Sequence, residues 1–530
     1  MKKTILILFL LGLAACSPAA VTALPHPTYD PFVPVTKSTP GAASVPAEAP
    51  PTLPSSTPTE LPFIVPTAVP LEQLLPLPRP PGAPIYTPTP DALRVLPTPR
   101  QSVDEYVVQP GDTLGSIAFS RGVSLEALMQ ANGLTDPNLL EVGQTLVIPA
   151  PEPIGVSASF KIIPDSELVY GPASAAFSVE AFLQSRGGFL ANYNEEVNGE
   201  LLSAAQIITR VAQNYSVNPR LLIALVEHQS GWVSNPAPFQ IDYALNFPDA
   251  YYTGLYLQLT FAANELNRGY YLWRVNAVSS WVLADGFVVP AAPGVNAGTA
   301  GVQNFFARLD DLAAWQVDVG DAEGSFFYTY FFLFGYPFDF ATEPLIPPGL
   351  TQPRLALPFE RGVTWAFTGG PHGGWDSGSA WAALDFAPIG EVQGCFTSED
   401  WVTAATDGLI VRTGDGQVIQ DLDGDGYEQT GWVIFYMHVE ERDRVAPGTY
   451  VKGGERIGHP SCEGGISNGT HVHIARKYNG EWIPADGDLP FDFDGWISSG
   501  NGIEYDGWLT RGEEVREAYD GLMEVNSISR

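Results

Sequence analysis

Basic side chains are scarce in this sequence: 26 Lys and Arg stand against 59 Asp and Glu in 530 residues, giving a net charge of −33. So acidic a chain lacks the positive surface that nucleic acid or an anionic bilayer attracts, and no nucleic-acid partner is expected. Long apolar runs are wanting too. The stretch at the start, Ile5 to Ala15, is 11 residues, about half of the ~20 that a bilayer core requires of a helix. Charged residues of all kinds make up only 16%, yet hydrophobic residues reach 45% and aromatics 12%, which excludes a wholly disordered chain. Cysteine is limited to three positions and histidine to seven. The length exceeds one domain and suits about three.

Proline is plentiful but uneven. Of 48, 23 fall between Ser17 and Arg100. Runs such as Pro54-Ser55-Ser56-Thr57-Pro58-Thr59 bury no core, so residues 17–104 read as a disordered, extended tether. At about 3 Å per residue it reaches on the order of 200 Å. Ahead of it, Met1-Lys2-Lys3, the short apolar stretch and small residues form an export signal. Leu13-Ala14-Ala15-Cys16 resembles a bacterial lipobox. That resemblance implies a signal peptide over 1–16 and lipidation of Cys16. The protein is then exported and lipid-anchored to the bacterial envelope, facing the cell wall, with no membrane contact besides the anchor. Cys395 and Cys462 remain, an even number in an oxidising compartment. If bonded, their 67-residue separation stabilises the domain by roughly 4 kcal/mol.

Residues 105–149 read as a small α+β unit. Tyr106 to Val108 is a strand and Pro110-Gly111-Asp112-Thr113-Leu114 a turn. Ser116 to Phe119 and Ser124 to Ala131 are short helices, Asn132-Gly133 ends the second, and Thr145 to Pro149 is a strand. With Gly-Asp-Thr-Leu and Gly143-Gln144-Thr145-Leu146, the unit resembles the LysM module. That implies binding to N-acetylglucosamine-containing glycans such as peptidoglycan.

Residues 158–345 are mainly helical. Leu201 to Ala212 shows helical spacing of apolar positions, and a second helix starts at Ser216-Val217-Asn218-Pro219 and ends near Glu227-His228-Gln229-Ser230-Gly231-Trp232. A helix pair ending in Glu resembles lysozyme-like lytic transglycosylases, which makes Glu227 a candidate general acid. Gly254 to Leu259 resembles that family's Gly-Leu-Met-Gln turn, but with one residue more, and His228 stands where the family has Ser. A helical domain without catalysis is the competing reading. The aromatic run from Phe326 to Phe340 reads as core.

The C-terminal 350–500 is expected to be mainly antiparallel β, with Trp401 to Val411, Trp432 to Val439 and Thr470 to Arg476 the clearest strands. Five of the seven His fall between His372 and His473. In a strand, residues i and i+2 share a face, so His471-Val472-His473 sets two imidazoles side by side while Val472 and Ile474 point inward. Several blocks occur in order. Gly369-Gly370-Pro371-His372 and Ala383-Leu384-Asp385-Phe386 come first, followed by Val402 to Val411, Tyr436-Met437-His438, Gly453 to Gly458 and Gly469 to His473. Their succession is similar to the lysostaphin/LytM-type zinc metallopeptidases, particularly the beta-lytic branch. The resemblance implies one Zn2+ held by His372, Asp385 and His473, with one position left open. It also implies His471 as general base, His438 as donor to the oxyanion, and peptidoglycan peptide stems as substrate. The two histidine roles are exchangeable. His372-Gly-Gly-Trp-Asp376 supplies the His-x-x-x-Asp spacing of many relatives, but Asp385 lies in the strand block and is favoured. The competing readings are a wall-binding scaffold, an activator of other hydrolases, or glycan cleavage at Glu227.

Asp421-Leu422-Asp423-Gly424-Asp425-Gly426 has the alternating acids of a calcium loop, yet its twelfth position is Trp432, so a tight turn is expected and Ca2+ is doubtful. His459 reads as a surface or turn residue. Residues 501–530 read as an extension without chemistry.

Overall fold

The computed structural model describes residues 87–530 apart from 110–111, 156, 390–393 and 522. Cys16, the signal segment and the tether up to residue 86 lie outside the described residues. The last part of the range read as tether is docked on the helical region. Lys161 pairs with Asp91 at 2.6 Å, and Arg94 donates to the Trp273 carbonyl at 2.6 Å.

Two strands, β1 (Asp104–Val107) and β2 (Thr145–Ile148), pair antiparallel around helices α1 (Leu114–Ser120) and α2 (Leu125–Asn132). Ser124 caps α2, Gly133 ends it at φ 63°, and Asn132 ties it to β2 by bonding both polar groups of Val147. This unit has its own small core around Leu114, Leu128, Leu146 and Ile148.

The helical region is built on α3 (Ala204–Tyr215), α4 (Pro219–Ser230), α5 (Gly254–Arg274), α6 (Ala297–Ala307), α7 (Leu312–Asp318) and α8 (Phe326–Phe334). A short strand, Glu200–Ser203, takes the start of the expected first helix, because Ser203 and Gln206 form a reciprocal capping box there. Asn218 caps α4 with Pro219 in its first turn, and Gly231 closes it at φ 68°. Helix α8 buries Phe326, Phe327, Tyr330 and Leu333 as core.

The C-terminal region centres on a nine-stranded antiparallel sheet. Its strands include β3 (Thr364–His372), β4 (Ala383–Pro388), β5 (Gly408–Gly414), β6 (Gln417–Asp421), β7 (Trp432–Met437), β8 (Tyr450–Val451), β9 (Val472–Tyr478) and β10 (Ser527–Ser529). Their order across the sheet is β8-β5-β6-β7-β9-β4-β3-β10, and Glu481–Trp482 pairs beside β9. The expected strand from Trp401 breaks at Ala404, and Val402–Thr403 pairs with Arg456–Gly458 instead. The segment after residue 500 is part of this domain: β10 pairs with β3, and a four-stranded sheet precedes it.

Strand β7 is buried from end to end, and alternation explains why. Trp432, Ile434 and Tyr436 face the domain's own core with Ile474, Leu384 and Phe386. Val433, Phe435 and Met437 face the other way and share one core with the helical region, together with Ala383, Ala475 and Trp482. The helices therefore cover one face of the sheet.

Candidate metal centre

Register places the site on that helix-covered face. His473 lies opposite Met437 on β7 and opposite Asp385 on β4, while Gly369 of β3 faces Asp385. Directly opposed residues of antiparallel strands point the same way, so Asp385 and His473 stand on one surface. The carboxylate lies over Gly369, where a Cβ would come within 2.6 Å of Asp385 Oδ2. His372 completes the group from the end of β3.

Three ligand atoms converge. His372 Nε2 is 3.0 Å from His473 Nδ1, and both are 3.3 Å from Asp385 Oδ1. The far nitrogens are bound to backbone carbonyls: His372 Nδ1 to Gly370 O at 2.8 Å and His473 Nε2 to Gly374 O at 3.2 Å. A carbonyl only accepts, so each of those nitrogens carries the proton and the converging nitrogens present lone pairs. Asp385 Oδ1 is buried and has no hydrogen-bond partner. Two lone pairs and a carboxylate oxygen facing one point repel each other unless a cation sits among them. The donor set fits one zinc ion, and two imidazoles with one carboxylate are the ligands of a hydrolytic zinc that keeps a position open. Such a set supports catalytic zinc chemistry, and the chain carries it intact. Asp376, the alternative carboxylate, turns elsewhere: its Oδ2 accepts from Tyr215 Oη of α3 at 2.9 Å.

Two further imidazoles border the group. His471 Nε2 is 3.8 Å from Asp385 Oδ1, and its Nδ1 donates to Gly469 O at 2.7 Å. His438 donates from Nδ1 to Glu463 O at 3.0 Å, and its ring centre is 4.4 Å from that of His471. Charges follow burial and neighbours. Burial opposes the charge on Asp385, yet His372 and His471 hold the carboxyl well below its ordinary range. Burial also opposes a charge on His372, but Asp385 outweighs it and raises this imidazole. Burial, then the neighbouring His471 and His473, pushes His438 well below the usual value, so it is neutral.

The sequence reading missed two neighbours. Tyr505 stacks on His372 with ring centres 4.2 Å apart, and Glu504 Oε1 accepts from Gly373 N at 3.4 Å. Both lie in the segment read as an extension without chemistry. Their only signal in the chain is an aromatic beside an acid, which has no spacing to a catalytic block. His459 is corrected as well. It is 2% exposed, packs on Trp401 and bonds Asp400 O, so it is a core residue instead of a surface one.

Glu227 occupies the last turn of α4. Its carboxylate accepts from Val233 N, Ser234 N and Ser234 Oγ, which fixes the loop after the helix, and the residue borders an open cavity of about 590 Å³. Neighbouring His228 bridges Thr329 Oγ1 and Asp318. Gln258, in the Gly254–Leu259 stretch, is buried and bonds backbone of residues 245, 247 and 252. Asp421, Asp423 and Asp425 form a second converging acidic group. Their oxygens accept from four backbone amides of the turn, Asp423 N, Asp425 N, Gly426 N and Tyr427 N, which is the tight turn the sequence suggests and shows no clear metal coordination. Cys395 and Cys462 are bonded, with Cα atoms 5.9 Å apart.

Two family models match parts of the chain. The LysM domain matches residues 106–149, and the family described as LasA, N-terminal domain, matches residues 161–346. The second match covers the region that resembled lysozyme-like enzymes. Protease LasA of Pseudomonas aeruginosa is 23% identical over 343 residues, covering 61% of this chain and 75% of the relative. N-acetylmuramoyl-L-alanine amidase XlyA of Bacillus subtilis is 52% identical over 46 residues, 9% of this chain and 16% of the relative. Among solved structures, the M23 metalloprotease pseudoalterin is 23% identical and matches over 34% of this chain and all of that one, with a TM-score of 0.28. The catalytic domain of lysostaphin from Staphylococcus simulans is 24% identical over 23% of this chain and 89% of that one, with a TM-score of 0.17.

Proposed function

We propose that the chain is a zinc metalloendopeptidase that hydrolyses peptide bonds in peptidoglycan crosslinks. Its LysM module holds the glycan, and a lipid on Cys16 ties the chain to the envelope. One observation carries the reading: His372 Nε2, His473 Nδ1 and the partnerless Asp385 Oδ1 converge with their lone pairs on one point. A zinc ion held there supplies Lewis acidity and lowers the pKa of a water toward about 7. The chain's own groups do the rest. His471, with its proton held on Nδ1 by Gly469 O, offers Nε2 as general base to the attacking water. His438 has the same tautomer, so it donates to the developing oxyanion only after gaining a proton at Nε2. The proton taken from the water supplies that donor, and because burial and the neighbouring His471 and His473 disfavour a proton on His438, His471 is the imidazole that takes it first.

Clearing of purified cell walls, followed by mass spectrometry of the fragments, tests the reading. Wild type is expected to clear the suspension and release new amino termini, His473→Ala to abolish both, and Glu227→Gln to leave both intact. Anhydro-sugar products that vanish with Glu227→Gln would assign the chemistry to the helical region. Binding without clearing would leave a scaffold.

A further inference from the structure

The loop after His372 is Gly373-Gly374-Trp375-Asp376-Ser377-Gly378-Ser379, three glycines and two serines in seven residues. Such a segment has much conformational freedom to lose and little apolar surface of its own with which to offset that loss. Yet its Gly374 carbonyl must stay put, because it receives the Nε2 proton of His473 and so keeps Nδ1 free as a ligand. The order is imposed from outside. Gly378 N donates to Asn264 Oδ1 at 2.7 Å, and Arg268 Nη2 donates to Ser377 Oγ at 2.8 Å, both from α5. Tyr215, the last residue of α3, donates to Asp376, which stands at φ 55°. The fit is close: a Cβ on Gly378 would lie 2.0 Å from Asn264 O, and one on Gly374 would meet Trp482 at 2.8 Å. Trp482 is itself anchored by α5, its backbone N–H donating to Tyr271 Oη at 3.0 Å.

We infer that Asn264, Arg268 and Tyr215 of the helical region are positioning residues for the metal centre, fixing the loop whose Gly374 carbonyl orients His473. The inference rests on the zinc reading above, and it makes the helices a working part of the site instead of a neighbour. An outer partner that fixes a ligand histidine typically contributes 10- to 100-fold to metal affinity. The bonds from Asn264 and Arg268 of α5 end on Gly378 and Ser377, so their effect on the ligands passes through the loop.

The test is zinc affinity of the full chain, by competition with a chromophoric chelator, together with the visible spectrum of the cobalt-substituted protein. Arg268→Ala and Ser377→Ala both remove the Arg268–Ser377 hydrogen bond, and Ser377→Ala also removes the 3.3 Å bond from Asn264 Nδ2. Both are expected to weaken zinc by about ten-fold or more and to alter the cobalt bands, and Arg268→Lys is expected to recover most of the loss. Unchanged affinity and spectrum in Ser377→Ala would overturn the inference, and this loop-side variant decides it should Arg268→Ala fail to fold. Wild type that binds no zinc would instead sink the reading of the site itself, so the two failures are distinct.

Discussion

His473 asks opposite things of its two ring nitrogens: Nδ1 must be bare and Nε2 must keep a proton. The Gly374 carbonyl enforces both, as the Gly370 carbonyl does for His372. Because a proton competes directly for each bare nitrogen, bound zinc is expected to be released as the pH falls below the ordinary histidine range, about 6.5. At His372 burial opposes a proton but Asp385 outweighs it, which works in the same direction, whereas burial lowers the proton affinity of His473. Equilibrium dialysis across pH 5–8 followed by metal analysis reads this out, and zinc retained fully at pH 5 would contradict it. The carboxylates separate just as clearly. Asp385→Ala is expected to lose zinc, whereas Asp376→Asn is expected to keep a stoichiometric ion, because Asp376 faces Tyr215 and not the histidines. Equal loss in both variants would return the ligand assignment to the nearer acid.

Single elements show how far the sequence could be read. The blocks around His372, Asp385 and His473 were legible because strand periodicity and motif order act locally, and β4 and β9 appear where those blocks lie. Tyr505 was not legible. Nothing near position 505 signals that β10 pairs with β3 and carries the preceding segment back over His372, since that is a long-range pairing. The β6–β7 turn was read correctly as a turn, but its electrostatics needed coordinates. Burial, followed by the nearness of Asp421, pushes Asp423 up to about 8. An acid whose folded-state pKa is raised is neutral in the fold while it ionises in the unfolded chain from about pH 4 upward. Its contribution to stability is therefore complete below about pH 4 and is lost progressively as the pH rises toward 8. Asp423→Asn is expected to melt like wild type at pH 4 and progressively higher than wild type toward pH 8. Parallel melting curves across that range would refute the assignment.

For the whole molecule, the decisive fact is which cores are shared. Val433, Phe435, Met437 and Trp482 of the sheet sit in one continuous cluster with the helices, whereas the LysM unit encloses a separate cluster. Charge ties the same seam, with Arg274 of α5 2.8 Å from Glu481 beside β9. A shared core cannot lose one half and keep the other hydrated at no cost, so the helices and the sheet should unfold in one cooperative step. The small module should melt in a step of its own. Differential scanning calorimetry is expected to show two transitions, of which the larger carries both the near-ultraviolet signal of the sheet tryptophans and the loss of most helicity. Reduction of Cys395–Cys462 removes a crosslink over 67 residues, and it should lower the larger transition alone, by about 4 kcal/mol. Phe435→Ala cuts into the seam at a ring that packs on both Trp482 and Trp375, and it should destabilise helices and sheet together by about 3–5 kcal/mol. Helical signal that survives after the sheet has melted would show that the two halves stand independently, and the coupling inferred between α5 and the metal centre would then have to be carried by the loop contacts alone.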